Sequence, residues 1–233
     1  MVIGFGASQR MPATQQTTVT GVRLKTPRAA AIAGILFSVL LIFALVLLRL
    51  SIPENPLERG ILLETTADRV ALALNLIPFA GIAFLWFIGV LRARLGERED
   101  RFFATVFLGS GLLFLGMLFV AAAIAGAVLI LREAQSAGST ESTTFTLAHA
   151  LSFSIMHIYV VKLAGVFMIT TSTIAIYTGI AARWIAYLGY VLAALLLFVT
   201  SLSDWTFLVF PLWVLLMSSY ILVDNLHAAP GTE

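Results

Sequence analysis

The sequence predicts an all-α polytopic bundle of six transmembrane helices, with a short interfacial helix in the first outer loop. Three observations carry that expectation. The chain is 60% hydrophobic and only 11% charged, whereas soluble domains hold roughly 25% charged residues. Mean hydropathy is +1.01. The apolar residues gather in six runs, at 28–48, 70–91, 102–131, 155–179, 184–202 and 205–223; a helix needs about 20 apolar residues to cross a bilayer.

The same figures exclude several classes. The formal net charge is +2, with the basic residues scattered, so no nucleic-acid surface is expected. The chain has no cysteine, which rules out disulfides, thiolate catalysis, cysteine-held zinc or iron–sulfur clusters and attached c-type haem. The expected partner is the lipid bilayer, with other membrane subunits or a homo-oligomer beside it.

Residues 1–26 are polar and rich in Thr, Gln and Gly. Lacking an apolar h-region, they read as a disordered cytoplasmic arm and not as a cleaved signal peptide. The membrane domain spans 27–225 and a short tail 226–233. Thr26-Pro27 supplies an N-cap and a proline at the first helical position. In span 1, Ala30, Gly34 and Ser38 recur every fourth residue, a pattern that lets another backbone approach closely. Packing inside the bundle is the expected use, ahead of a dimer face.

In the link 49–69, Asn55-Pro56-Leu57-Glu58 resembles a capped helix start. Leu57, Ile61 and Leu62 share a face, as in a helix lying on the membrane surface. Span 2 carries Asn75, seven residues from Asp68 and on the same face, and Pro78, which removes a backbone hydrogen bond. Span 3 is long enough to tilt or protrude, and Ala122 and Gly126 form a second small pair. A helix starting near Thr144 is expected to run straight into span 4. Ser203-Asp204 reads as a turn, with Asp204 capping span 6, which contains Pro211 and Trp213.

Lys and Arg fix the expected orientation, because they favour cytoplasmic loops. Arg10, Arg23, Lys25, Arg28, Arg92, Arg94, Arg98, Arg101 and Arg183 fall on one side, and Arg49, Arg59, Arg69 and Arg132 on the other. Both termini are therefore expected in the cytoplasm, in a prokaryotic plasma membrane.

The most informative stretch is LSFSIMHIYVVKLAGVFMITTSTIAIYTG, residues 151–179. At about 100° per residue, Tyr159, Lys162, Val166, Thr170, Thr173 and Tyr177 fall on one stripe, which is expected to face the bundle interior. It reads as a polar path or as hydrogen-bonding glue between helices, and glue is preferred. Ionisable groups in hydrocarbon need a partner, a cavity or a reach to the interface. Lys162 can snorkel, pair with Asp68 or Asp204, or join Asn75 and Asp68 in an outward-facing polar pocket. The candidate pocket is thus Lys162, Asn75, Asp68, Tyr159, Thr170, Thr173 and Tyr177.

His149 and His157 read as interfacial. A b-type haem needs ligands facing each other across it, and the third histidine, His227, lies in the tail. No H-E-x-x-H, G-x-S-x-G, phosphate loop or G-x-G-x-x-G occurs. No cofactor, metal or catalytic residue is expected. The two halves of the chain show no repeat of the transporter kind.

The strings TPRAAAIAGILFS entering span 1, Arg69 opening span 2, ARWIAYLGYVLA in span 5 and VFPLWVLLMSSYIL in span 6 resemble a broad bacterial family of six-span proteins carrying a domain of unknown function. The resemblance implies a membrane location and no assigned chemistry. The expected function is a non-enzymatic accessory, assembly or ligand-sensing membrane component. The alternatives are a small transporter or channel along span 4 and, behind it, a membrane-embedded enzyme.

Overall fold

The computed structural model describes residues 26–51, 63–95, 101–134, 143–198 and 205–227. All regular structure among them is helical. The elements are α1 (Thr26–Leu50), α2 (Leu63–Leu95), α3 (Arg101–Ala134), α4 (Thr143–Ser154), α5 (Val161–Thr178), α6 (Arg183–Phe198) and α7 (Val209–His227). A π-helical segment, Ile155–Val160, joins α4 to α5 without a break, and a 3₁₀ turn, Thr206–Leu208, leads into α7. The continuous helix expected from Thr144 into span 4 is present.

Five of these helical stretches are long and apolar enough to cross a membrane: Arg28–Leu50, Ala67–Arg92, Phe102–Ala127, Ala150–Thr178 and Thr206–His227. The chain is a helical membrane protein. In α1, charge occurs only at Arg28 and Arg49; 21 residues at 1.5 Å each put them about 32 Å apart, close to the ~30 Å hydrocarbon thickness. Of the sixth expected span, 184–202, the described residues form α6, 16 residues and about 24 Å of helix; residues 199–202 lie outside the described set. The interfacial helix in the first outer loop, the cap Asp204, most of the N-terminal arm and most of the tail lie outside the described residues.

Helix ends follow the local chemistry. α2 and α3 run past the expected span limits by several residues, because Asp68, Arg69, Arg92 and Arg132 can remain helical in water beyond the apolar core. Pro78 lies inside α2 and Pro211 in the first turn of α7, where a missing N–H removes little. α5 stops at Gly179, whose φ of 65° is left-handed and whose N–H donates to Ala175 O at 3.0 Å. Glycine takes that conformation without a Cβ clash, and the tight turn starts α6 back along α5.

Contacts fix an up-and-down order. Phe37 of α1 meets Phe84 of α2 at 4.5 Å, and Phe84 meets Phe114 of α3 at 5.3 Å. Ser152 of α4 donates to Ala121 O of α3 at 3.0 Å, and Phe107 stacks on Phe167 of α5. α7 packs on α1 with Gly34 under Ser218. Arg28, in the first turns of α1, donates to Asn225 O in the last turn of α7 at 3.4 Å. The described start and end of the bundle therefore lie at the same end. The Ala30, Gly34 and Ser38 stripe is buried, as expected for packing inside the bundle.

The centre is aromatic. Phe84 touches Phe37, Phe87, Phe114, Phe167 and Phe210, within centroid distances of 4.5–6.3 Å, so rings from α1, α2, α3, α5 and α7 converge on one point. Edge-on and tilted pairs like these are worth about 0.5–1.5 kcal/mol each beyond burial. α6 contributes no ring to this cluster and lies at the edge, packed chiefly on α5.

Candidate functional site at the α5–α6 hairpin

The polar residues of α5 serve mainly the α5–α6 contact. Lys162 Nζ donates to Leu196 O at 3.2 Å and to Leu197 O. These carbonyls belong to the last described residues of α6. They satisfy an ammonium in an apolar span. Phe167, five residues along, touches the central Phe84 at 5.2 Å. Lys162 is therefore only about 7–8 Å along the axis from the aromatic centre.

Thr173 supplies the second tie. Its Oγ1 donates to Ile169 O at 2.9 Å and lies 2.7 Å from Tyr190 Oη on α6. Thr170 is buried and donates to Val166 O and Phe167 O of its own helix at 3.2 and 3.0 Å. A third contact holds the hairpin to α7: buried Trp213 donates its Nε1–H to Ile185 O at 3.2 Å.

The stripe does not face the interior as a unit, which corrects the expectation. Tyr159 is 54% and Tyr177 81% exposed. Two physical reasons apply. Tyr159 sits in the π-helical segment, whose i→i+5 bonding turns each residue by less than the α-helical angle and rotates the upstream faces. Tyr177 is in the last turn of α5, where a phenol hydroxyl gains by reaching a headgroup or water. Val166 is half-buried.

The expected grouping of Lys162 with Asn75 and Asp68 is not made by hydrogen bonds. The ammonium is bonded to the α6 carbonyls, while Asn75 and Asp68 are both exposed on α2. Asp204, the other carboxylate considered for Lys162, lies outside the described residues. His157 Nδ1 bonds Phe153 O at 3.0 Å, which places its proton on Nδ1; the ring stacks on Phe153 at 3.8 Å and meets Phe207 edge-on at 5.8 Å. The His149 side chain lies outside the described set. Among the described residues, no three His, Asp or Glu side chains gather as a metal site.

A small cavity adjoins the Lys162 end of the hairpin, lined by Leu41, Phe114, Val160, Ala164, Leu196 and Phe210 among others, with a volume near 20 Å³. That is room for about one water, in a lining that is apolar except for Thr206. Sequence reasoning missed Tyr190 and Trp213 as hairpin partners and the Phe84 cluster as the core. In the run Phe84-Leu85-Trp86-Phe87 the first and last rings are buried and the middle pair is exposed, a division that apolarity alone does not reveal.

No family model, curated protein or solved structure matches the chain. The likeness to six-span bacterial proteins rests on the four sequence strings alone.

Proposed function

We propose that the chain is a six-pass protein of the prokaryotic plasma membrane, with both termini in the cytoplasm, acting as a non-enzymatic accessory or assembly component through helix contacts. α6 is the sixth crossing, tied to α5 by Lys162. The alternating order of the helices and the Arg28–Asn225 bond support an even number of passes, and the basic residues support the orientation.

The observation that carries the functional reading is the filled centre. A transport path through the bundle runs along its axis, where the rings of Phe37, Phe84, Phe114, Phe167 and Phe210 meet. The polar groups of α5 at Lys162 and Thr173 are engaged with α6, as interhelical glue. A second reading, a small transporter, is favoured by one feature: the hydroxyls of Thr171, Ser172 and Ser218 are buried without a partner.

Gentle solubilisation of native membranes, followed by affinity capture of the full chain, tests the proposal. The expected result is recovery in a stoichiometric complex with other membrane subunits or further copies, together with purified vesicles that move no more solute than empty ones. A solitary chain that drives solute flux overturns it in favour of the second reading.

A further inference from the structure

The helix that carries α4 and α5 runs unbroken from Thr143 to Thr178, yet its bonding changes over Ile155–Val160. Nothing in the string IMHIYV demands the change. It holds no proline or glycine, and the flanking Ser154 and Val161 keep ordinary helical angles, φ −62° with ψ −45° and φ −64° with ψ −44°. A π turn closes i→i+5 where an α turn closes i→i+4, so it takes up one residue more. The same residues can therefore form an uninterrupted α-helix if α4 turns against α5 by one residue's step, about 100°.

Two contacts favour the register observed. Ser152 faces α3, its Oγ donating to Ala121 O at 3.0 Å, while Leu151 and Phe153 on either side are exposed. In the all-α register each α4 residue takes the place of the one before it. Phe153 would then press on α3, and Ser152 would face lipid. The second contact is His157. Its Nδ1–H donates to Phe153 O at 3.0 Å, the carbonyl that the amide of residue 157 bonds in an α-helix. A side-chain donor inserted there competes with the α ladder. The imidazole is braced by its stack on Phe153 and by the edge of Phe207. The small cavity borders the segment at Met156, Val160 and Phe207, which leaves the unbranched Met156 room to resettle.

We propose that Ile155–Val160 is a register switch with two settings, π and all-α, and that His157 is the latch that holds the π setting. α5 stays in place, tied to α6 through Lys162 and Thr173, so α4 is the part that turns. Turning it changes the face that α4 presents outward, which carries Leu147 and Leu151 in the setting seen here. Rotation or stepping of one packed element against another is an established form of switching. The switch rests on helix geometry and is independent of the accessory reading.

The chain has no native cysteine, so paired thiols report the register. Ala121→Cys is combined with Ser152→Cys in one full-length protein and with Phe153→Cys in another. Both are oxidised with copper-phenanthroline in vesicles of phosphatidylethanolamine and phosphatidylglycerol. The pair with Ser152→Cys reads the π setting, and the pair with Phe153→Cys reads the all-α setting. With His157 present the first pair is expected to close faster. His157→Phe keeps a ring for the stack and removes the donor. It should raise the rate of the second pair relative to the first about fivefold, the weight of one hydrogen bond. His157→Asn should restore the original ratio, since Asn225 makes the same bond to the carbonyl four residues back in α7, at 2.6 Å. A folded His157→Phe protein with an unchanged ratio, or an Asn variant that matches the Phe variant, overturns the proposal. Deleting Ile158, which is exposed, removes the extra residue itself. That protein should fold, close the pair with Ser152→Cys and ignore His157→Phe. If it fails to fold, or closes the pair with Phe153→Cys instead, the two settings are overturned even where His157→Phe alone does not fold.

Discussion

Lys162 of α5 holds the carbonyl of Leu196 at 3.2 Å, across a hairpin whose turn is 17 residues away. The bond gives a cation that apolar surroundings disfavour carbonyl acceptors on the neighbouring helix. Lys162→Met removes the donor of both bonds. Charge-assisted bonds of this kind are worth about 1.5–3 kcal/mol, and part of that is regained because the methionine carries no charge into the bilayer. A net loss of about 1–2 kcal/mol is expected, read as a lower midpoint for unfolding in mixed micelles. Lys162→Arg retains donors and should fall between the two. Equal midpoints for all three proteins would mean that the lysine merely snorkels.

Phe84 is fully buried, with rings from four other helices around it. Phe84→Ala opens a cavity that the neighbouring rings can only partly fill. In soluble cores that change costs about 3–5 kcal/mol. Here lipid replaces water outside the bundle and the transfer contribution shrinks, so about 2–3 kcal/mol is expected. Phe84→Leu should cost less than half as much. The measurement is the same unfolding midpoint, with Trp86→Ala, whose side chain is 70% exposed, as a control that moves it little.

What could be read in the sequence divides along a physical line. Hydropathy reports burial in oil, so the runs at α1, α2, α3 and α5 and the continuous helix through Ser154 were legible. Hydropathy says nothing of which oil-soluble side chain meets lipid and which meets protein. The Phe84 cluster was therefore invisible, because phenylalanine is at home in both places. The polar stripe was half legible. Lys162, Thr170 and Thr173 do find protein partners, but a uniform 100° step could not anticipate the π-helical segment before Val161, which carries Tyr159 outward.

Gly189 lies where α5, α6 and α7 come together. A Cβ at that position would clash with Ser172 Oγ and sit 2.8 Å from a ring carbon of Trp213. The serine hydroxyl can rotate away. The indole cannot, since its Nε1–H is held by Ile185 O. Gly189→Ala should therefore destabilise by about 1–3 kcal/mol, as overpacking does. Ser172→Ala should be neutral or stabilising, because the buried Ser172 Oγ has no partner to lose. Combining the two should recover only part of the loss, leaving the Trp213 contact. Full recovery in the double variant would place the whole obstruction at Ser172.

Arg28 donating to Asn225 O brings the first and last described turns together, which makes sidedness a single question. If both ends are cytoplasmic, a C-terminal alkaline phosphatase fusion should be inactive and a C-terminal green fluorescent protein fusion fluorescent. Single cysteines sharpen the test, since the chain has none of its own. Ser218→Cys is buried within the bundle and is unsuitable. Asp224→Cys and Arg183→Cys are exposed, and in intact cells both should resist a membrane-impermeant maleimide and react only after permeabilisation. Asp68→Cys, at the opposite end of the bundle, should label at once. The reverse pattern inverts the protein without altering its fold. Labelling of Asp224→Cys together with Asp68→Cys, with Arg183→Cys protected, would mean that α6 does not cross and that the chain makes five passes, which the Arg28–Asn225 bond does not allow.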